Sequence, residues 1–394
     1  MRDVFVLSAA RTPIGKFGGA FASLSAADLG TVAAAGALSR SGVSPDEVTE
    51  TIFGHGRQAG GGPNSARQVA HRAGVPDRAP AFTVNKACAS SLKAITLGAL
   101  SIAAGENEVV LAGGHECMSA TPYLLTNARF GYRMGDAEVV DGMTRDGFLC
   151  PLCGELMGET AERLAREYAI GRDEQDRYAL ESQRRAGAAA GDGRFADEIV
   201  PVEVRTRKGA VTVSADEHPR PGTTLDSLAR LPPVFAADGT VHAGNASGVT
   251  DGAAALVLAS GEYAARRGLA PMARVVAWTS AGVDPARMGI GPVPAVRSLL
   301  ENTGVKLADV GLVELNEAFA AQVIACERDL ALDRARLNVN GGAIALGHPI
   351  GATGARIAAT LLHEMRRRAE RYGIATLCVS GGMGMAVLFE NAAG

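Results

Sequence analysis

The sequence predicts an α/β protein built from two related halves, with a loop-rich domain inserted between them. Two observations carry this: landmarks that recur in the same order, and a long intervening segment of different composition. The first landmark is a strand-like run, Val4-Phe5-Val6-Leu7-Ser8-Ala9-Ala10, matched by Arg274-Val275-Val276-Ala277-Trp278-Thr279-Ser280-Ala281-Gly282. The second is a helix, a Gly-Val turn and a strand. Helix 28–41, Gly42-Val43 and Thr51-Ile52-Phe53-Gly54 correspond to helix 293–303, Gly304-Val305 and Val313-Glu314-Leu315-Asn316. The third is an apolar run into a glycine pair, Val109-Val110-Leu111-Ala112-Gly113-Gly114 against Leu377-Cys378-Val379-Ser380-Gly381-Gly382. Strands alternating with helices in each half imply mixed sheets covered by helices.

Residues 121–248 read differently. They are rich in Arg, Asp, Glu, Gly and Pro and hold two amphipathic helices, near 158–169 and 172–190. The second opens on Asp173-Glu174, as a helix N-terminus prefers. A polar, turn-rich stretch follows over 218–244. The expected division is therefore 1–120 with 249–270 as the first half, 121–248 as an inserted domain covering a site, and 271–394 as the second half.

Composition narrows the function. Lys and Arg total 39 against 42 Asp and Glu, so no basic field exists for nucleic acid. No apolar stretch approaches the ~20 residues that span a bilayer, and the N-terminal run is too short for a signal peptide. The six cysteines are scattered and most lie in apolar segments, which fits a reduced, cytoplasmic protein without disulfides.

Four stretches carry polar or nucleophilic residues where chemistry is possible. In Thr83-Val84-Asn85-Lys86-Ala87-Cys88-Ala89-Ser90-Ser91, a strand gives way to an apolar helix, and Cys88 falls at the helix start. There, free N–H groups and the dipole favour a thiolate, although a cysteine among small residues is often plain core. His348 lies in the glycine-rich turn Asn340 to Arg356, at the entrance to helix 353–366. A histidine in a strand-to-helix turn is a candidate base. Cys378 ends a strand before a second glycine-rich turn. Asn316 and Glu317 interrupt an apolar run, where burial demands partners or a helix-capping role.

At these motifs the sequence resembles the thiolases, over essentially the whole chain. The matching patterns are the Cys-Ala-Ser turn at 88, Asn-Glu-Ala-Phe at 316, Gly-His-Pro-x-Gly-x-Thr-Gly at 347, and Cys-x-x-Gly-Gly-x-Gly at 378. Ala243-Gly244-Asn245-Ala246-Ser247-Gly248 and Asp251-Gly252-Ala253-Ala254 match as well. The resemblance implies a thiolase-like duplicated core with an inserted loop domain, and an acyltransferase of the acetyl-CoA C-acyltransferase kind. Cys88 would carry the acyl group as a thioester, with His348 taking its proton. Cys378 would move the proton at the carbon of a second acetyl-CoA. The enolate oxygen would face His348 and a water held by Asn316. A second oxyanion hole would use the backbone N–H groups of Cys88 and Ser380.

The resemblance also implies CoA contacts from Arg220, Ser227, Leu231, Phe235, Ala243 and Ser247. Met157 and Met288 would lie near the pantetheine or acyl end, and Ala318 and Phe319 would line the reacting pocket. It implies small-molecule partners only, acyl-CoA and CoA, in a homodimer or homotetramer. Coenzyme A and acetyl-CoA are substrates, and no permanently bound cofactor or metal is expected.

The chain departs from the family pattern in places. Ser91 and Ser380 stand where Gly is usual; a positive φ at 380 would cost Ser about 1 kcal/mol. Leu156 replaces a His common in short-chain members and suggests a wider acyl pocket. His115 and Cys117 replace commoner Met and Ser. Cys150-Pro151-Leu152-Cys153 has redox or zinc half-site spacing, but no second CxxC accompanies it. Two alternatives are a decarboxylating ketoacyl synthase relative, which would carry His in place of Asn316 and not need Cys378, and a non-catalytic lipid-binding homologue, which would have lost one of the three reactive residues.

Overall fold

A computed structural model describes residues 2–207 and 209–392. The first half contains β1 (Val4–Arg11), α1 (Ala26–Ser41), β2 (Glu50–Gly54), α2 (Ser65–Arg72), β3 (Ala81–Val84), α3 (Ser90–Ala103) and β4 (Val109–Cys117). Between β4 and β5 (Thr250–Ser260) the chain leaves the sheet, and this excursion holds α4 (Met157–Glu167) and α5 (Arg172–Gly191). The second half contains β6 (Ala273–Gly282), α6 (Pro292–Thr303), β7 (Val310–Leu315), α7 (Ala320–Leu330), α8 (Thr353–Arg368), β8 (Tyr372–Val379) and β9 (Met383–Asn391).

The same pairing scheme occurs twice. β2 runs parallel to β4, β4 antiparallel to β5, and β5 antiparallel to β1. Likewise β7 runs parallel to β8, β8 antiparallel to β9, and β9 antiparallel to β6. β3 lies parallel to β2, and its counterpart shrinks to one parallel bridge, Val313 to Leu337. The two sheets touch edge to edge where Phe5 and Val6 pair with Arg274 and Ala273.

Every residue of β5 is buried, and its side chains alternate between two cores, as the strand period requires. Leu256 and Leu258 face a central core shared with Leu92 and Ile95 of α3, Ile357 and Leu361 of α8, and Val387 and Phe389 of β9. Ala255 and Val257 face an outer core with Leu29 and Ala33 of α1. On the far side, Val296 of α6 and Val323 of α7 pack on Leu315 and Leu388. Five layers result, helix–sheet–helix–sheet–helix, with α3 and α8 together in the middle.

Local chemistry sets the helix ends. Ser25 and Asp28 form a reciprocal capping box at the start of α1. α1 and α6 both end on a glycine in the left-handed region, Gly42 at φ 73° and Gly304 at φ 70°. The Gly-Val turns of the repeat are thus equivalent helix stops.

The starts of the two central helices meet. A Cβ on Gly354 would lie 2.4 Å from the Leu92 backbone nitrogen, so only glycine permits this approach. Across the same contact, Ala355 N–H donates to Ser91 Oγ at 2.9 Å. This gives the unusual Ser91 a role: it caps the first turn of a helix in the other half. Ser91→Ala should lower stability by about 1 kcal/mol, read as a shifted urea midpoint with an unchanged slope.

Candidate active site

Cys88 sits in the turn between β3 and α3, one residue before the N-cap Ala89. The turn is strained: Ala87 has φ 45°, which costs a non-glycine residue about 1–2 kcal/mol. Hydrogen bonds hold it. Ala87 N–H donates to Asn85 Oδ1 at 2.9 Å, Lys86 N–H to Ser90 Oγ at 2.9 Å, and Ser90 Oγ to Ala87 O at 2.7 Å. The backbone N–H of Ser380, from the opposite half, lies near enough to the Cys88 sulfur to favour its charged form.

Burial pushes the Cys88 thiol up, and it outweighs the opposing pull of the Ser380 N–H, the Arg57 charge and its own N–H. The helix start therefore does not yield a resting thiolate, contrary to expectation. Cys88 rests as a thiol and needs a base.

His348 lies in the turn after the short helix Ala343–Leu346, its N–H donating to Gly248 O at 3.1 Å. Its Nδ1 is 2.6 Å from Thr353 Oγ1, and Thr353 Oγ1 donates to Pro349 O at 3.0 Å. With the hydroxyl proton so used, Thr353 accepts from Nδ1–H, which leaves Nε2 as the free basic nitrogen. Nε2 is buried and has no protein partner. Burial first, then the charges of Arg356 and Arg57, push His348 down to about 3. The ring is thus a neutral acceptor. We expect kcat/KM to show no acid limb near the ordinary histidine value of about 6.5; a pH–rate profile breaking there would contradict this.

Cys378 ends β8 and is fully enclosed. Burial and the neighbouring Cys88 and Cys326 sulfurs push its thiol well above the ordinary range. Ser380 follows two residues later, and the left-handed conformations of the turn fall on Gly381 (φ 89°) and Gly382 (φ 81°). Ser380 is not among the positive-φ residues, so the strain anticipated for serine does not arise.

Asn316 follows β7, its N–H donating to Thr376 O at 3.0 Å. Both atoms of its side-chain amide are buried without a protein partner, an unmet hydrogen-bonding capacity beside the reactive residues. Glu317 is instead fully engaged. It accepts from Tyr178 OH at 3.0 Å, Ser182 Oγ at 2.7 Å, Asn338 Nδ2 at 3.1 Å and Ile344 N–H at 3.1 Å. The two polar residues divide the work, and neither caps α7, which begins at Ala320. Glu317 ties α5 to the segment leading to His348.

Met157, Met288, Ala318 and Phe319 pack together with Cys378, and Phe235 adds its ring edge-on to Phe319 at 6.2 Å. Ser247 N–H donates to Ala318 O at 2.9 Å. Arg220, Ser227, Leu231 and Ala243 line a cavity of about 290 Å³ with Gln183 and His218. The sequence-derived residues therefore fall in a reactive cluster, an apolar pocket and an outer groove. His115 reaches Ser65 Oγ at 2.9 Å, and Glu116 accepts from the N–H groups of Gly56, Arg57 and Gly351. Among the described residues no group of three or more His, Cys, Asp or Glu could hold a metal, and no helix is long and apolar enough to cross a membrane.

The family models for the thiolase N-terminal and C-terminal domains match residues 4–262 and 269–391. This chain belongs to the thiolase family. It is 52% identical to an acetyl-CoA acetyltransferase of Shinella zoogloeoides, covering 98% of each chain. The acetyl-CoA acetyltransferase of Bacillus anthracis superposes with a TM-score of 0.98 at 47% identity, over 99% of both chains. Human mitochondrial 3-ketoacyl-CoA thiolase in complex with CoA gives 0.96 at 46% identity, over 99% of this chain and 98% of that one. The thiolase at hand is thus an enzyme of the acyltransferase class.

Three residues of this thiolase site escaped the sequence reading. Thr353 sat inside the matched glycine-rich turn, and its hydroxyl was a readable clue. Arg57, buried and facing both Cys88 and His348 with its charge, gave no local signal. Nor did the strained backbone of Ala87.

Proposed function

We propose that this thiolase moves acetyl and longer acyl groups between coenzyme A and Cys88, joining acyl-CoA to acetyl-CoA or splitting 3-ketoacyl-CoA. The observation that carries this is the Ser380 N–H near the Cys88 sulfur, from the turn that Cys378 opens. A donor placed there can hold the carbonyl oxygen of an acyl group on Cys88.

In this reading His348 Nε2 takes the Cys88 proton as sulfur attacks the acyl-CoA carbonyl, and passes it to the departing CoA sulfur. The acyl group stays on Cys88 as a thioester. In synthesis, Cys378 acts as a thiolate and removes a proton from the methyl carbon of acetyl-CoA. The carbanion attacks the thioester and releases the Cys88 sulfur, and the proton on Cys378 returns through His348 to that sulfur. In breakdown, Cys378 as a thiol protonates the leaving acetyl-CoA carbanion. An enclosed, reluctant acid becomes a strong base once ionised, which suits it to a weakly acidic carbon. His348 and a water held by the unmet amide of Asn316 face the enolate oxygen. The groove at Arg220, Ser227, Leu231 and Ala243 takes the CoA body, and Ser247 and Phe235 lead it towards Met157, Met288 and Phe319.

The acyl chain is addressed by Leu156, which precedes α4. Thiolysis rates for 3-ketoacyl-CoAs from four carbons upward should extend beyond acetoacetyl-CoA, and Leu156→His should narrow them. Activity confined to the four-carbon substrate would refute the wider pocket, and no thiolysis at any length would refute the function.

A further inference from the structure

Leu149 and Leu156 pair as an antiparallel bridge, and the chain between them closes a tight loop. Cys150 N–H donates to Glu155 O at 2.8 Å, and Gly154 N–H to Cys150 O at 2.8 Å. This loop brings Cys150 and Cys153 onto one apolar cluster, close enough for each thiol to influence the other's ionisation. Cys150 packs with Met288, Phe319 and Cys378, while Cys153 lies on the same cluster and is partly exposed.

The backbone N–H groups of Cys153, Leu152 and Gly381 lie near the Cys150 sulfur and favour its charged form. Gly381 adjoins Ser380, whose own N–H lies near the Cys88 sulfur. At two other buried cysteines such donors are fewer and burial prevails. Cys117 faces Leu24 O at 3.3 Å and Cys326 faces Gly289 O at 3.2 Å, and burial pushes both thiols up to about 12. Burial acts on Cys150 in the same sense, but its N–H donors outweigh it and hold this thiol below the ordinary range. Two adjoining thiols, one surrounded by N–H donors and one open to solvent, are the arrangement from which a disulfide forms.

We propose that Cys150 and Cys153 are a redox-modification site, a dithiol that closes to a disulfide by exchange with a small-molecule disulfide and thereby slows acyl transfer at Cys88. The second clause rests on the assignment of Cys88 as acyl carrier. Cys153, the sulfur that solvent reaches, attacks the external disulfide and releases one thiol, leaving a mixed disulfide. Cys150 attacks the Cys153 sulfur of that bond and releases the second thiol. Two cysteines lose two electrons and two protons, and the external disulfide gains both. The closed Cys150 sulfur is a poor acceptor for Gly381 N–H. The turn that holds Ser380 near Cys88 loses a tether.

The test uses the intact enzyme equilibrated with mixtures of oxidised and reduced glutathione, quenched by alkylation and cut with trypsin. Cleavage after Arg145 and Arg163 releases residues 146–163, whose only cysteines are Cys150 and Cys153. We expect that peptide to lose two hydrogens and resist alkylation. The thiolysis rate should fall several-fold and recover with dithiothreitol. Cys153→Ser should retain a larger fraction of its own reduced-state rate, because modification of Cys88 is common to both proteins. Two free thiols in the peptide under mixtures that already modify Cys88 would overturn the proposal. So would a closed disulfide with no greater rate loss than Cys153→Ser shows. The role of Cys88 is read independently, from acetyl label on its own peptide.

Discussion

Cys88→Ala should form no acyl-enzyme: incubation with labelled acetyl-CoA should leave the protein unlabelled, and thiolysis should fall by on the order of 10⁴-fold or more. The size follows from the absence of a substitute. Cys378 is a neighbouring thiol, but it is enclosed and held well above the ordinary range by burial and by Cys88 itself. Removing Cys88 relieves only that second influence. The fold should survive, because the turn is held by Asn85, Ser90 and the backbone of Lys86 and Ala87 rather than by the thiol. A circular dichroism spectrum and urea midpoint close to wild type would establish this. Label appearing on the variant would remove Cys88 from its role.

Cys378→Ala should separate the two halves of the reaction. In the proposed mechanism acylation uses Cys88, His348 and the Ser380 N–H, all of which remain, so a burst of label near one per chain is expected. Condensation needs a base at the methyl carbon, and its loss should cost about 10²–10⁴-fold, the usual worth of a positioned acid or base. Single-turnover acylation beside steady-state condensation distinguishes the steps. Equal loss in both would mean that Cys378 supports the geometry of Cys88 instead of moving a proton.

Much of the scaffold could be read from local rules. Gly42 and Gly304 are legible because a helix that must stop needs a left-handed residue, and both occupy that conformation. Helix 353–366 was placed within two residues of the observed Thr353–Arg368, since its apolar face repeats at the helical period. The site was legible only through its motifs. On physical grounds alone Cys88 reads as an ordinary core cysteine, and burial opposes the thiolate that a helix start favours. What sets the chemistry lies between distant segments: Ser380 on Cys88, Arg57 beside His348, Ala355 on Ser91. No window of neighbouring residues reports such contacts.

The contact of Gly354 with Leu92 has a wider consequence. α3 and α8 hold matching places in the repeated pairing scheme, each preceding the strand that lies between a parallel and an antiparallel neighbour. At the crossing of their first turns, one loop delivers the proposed nucleophile and the other the proposed base. In the proposed mechanism the repeated scaffold therefore frames one reaction centre instead of two. Neither half can be severed without baring the apolar flank of a helix whose mate lies in the other half.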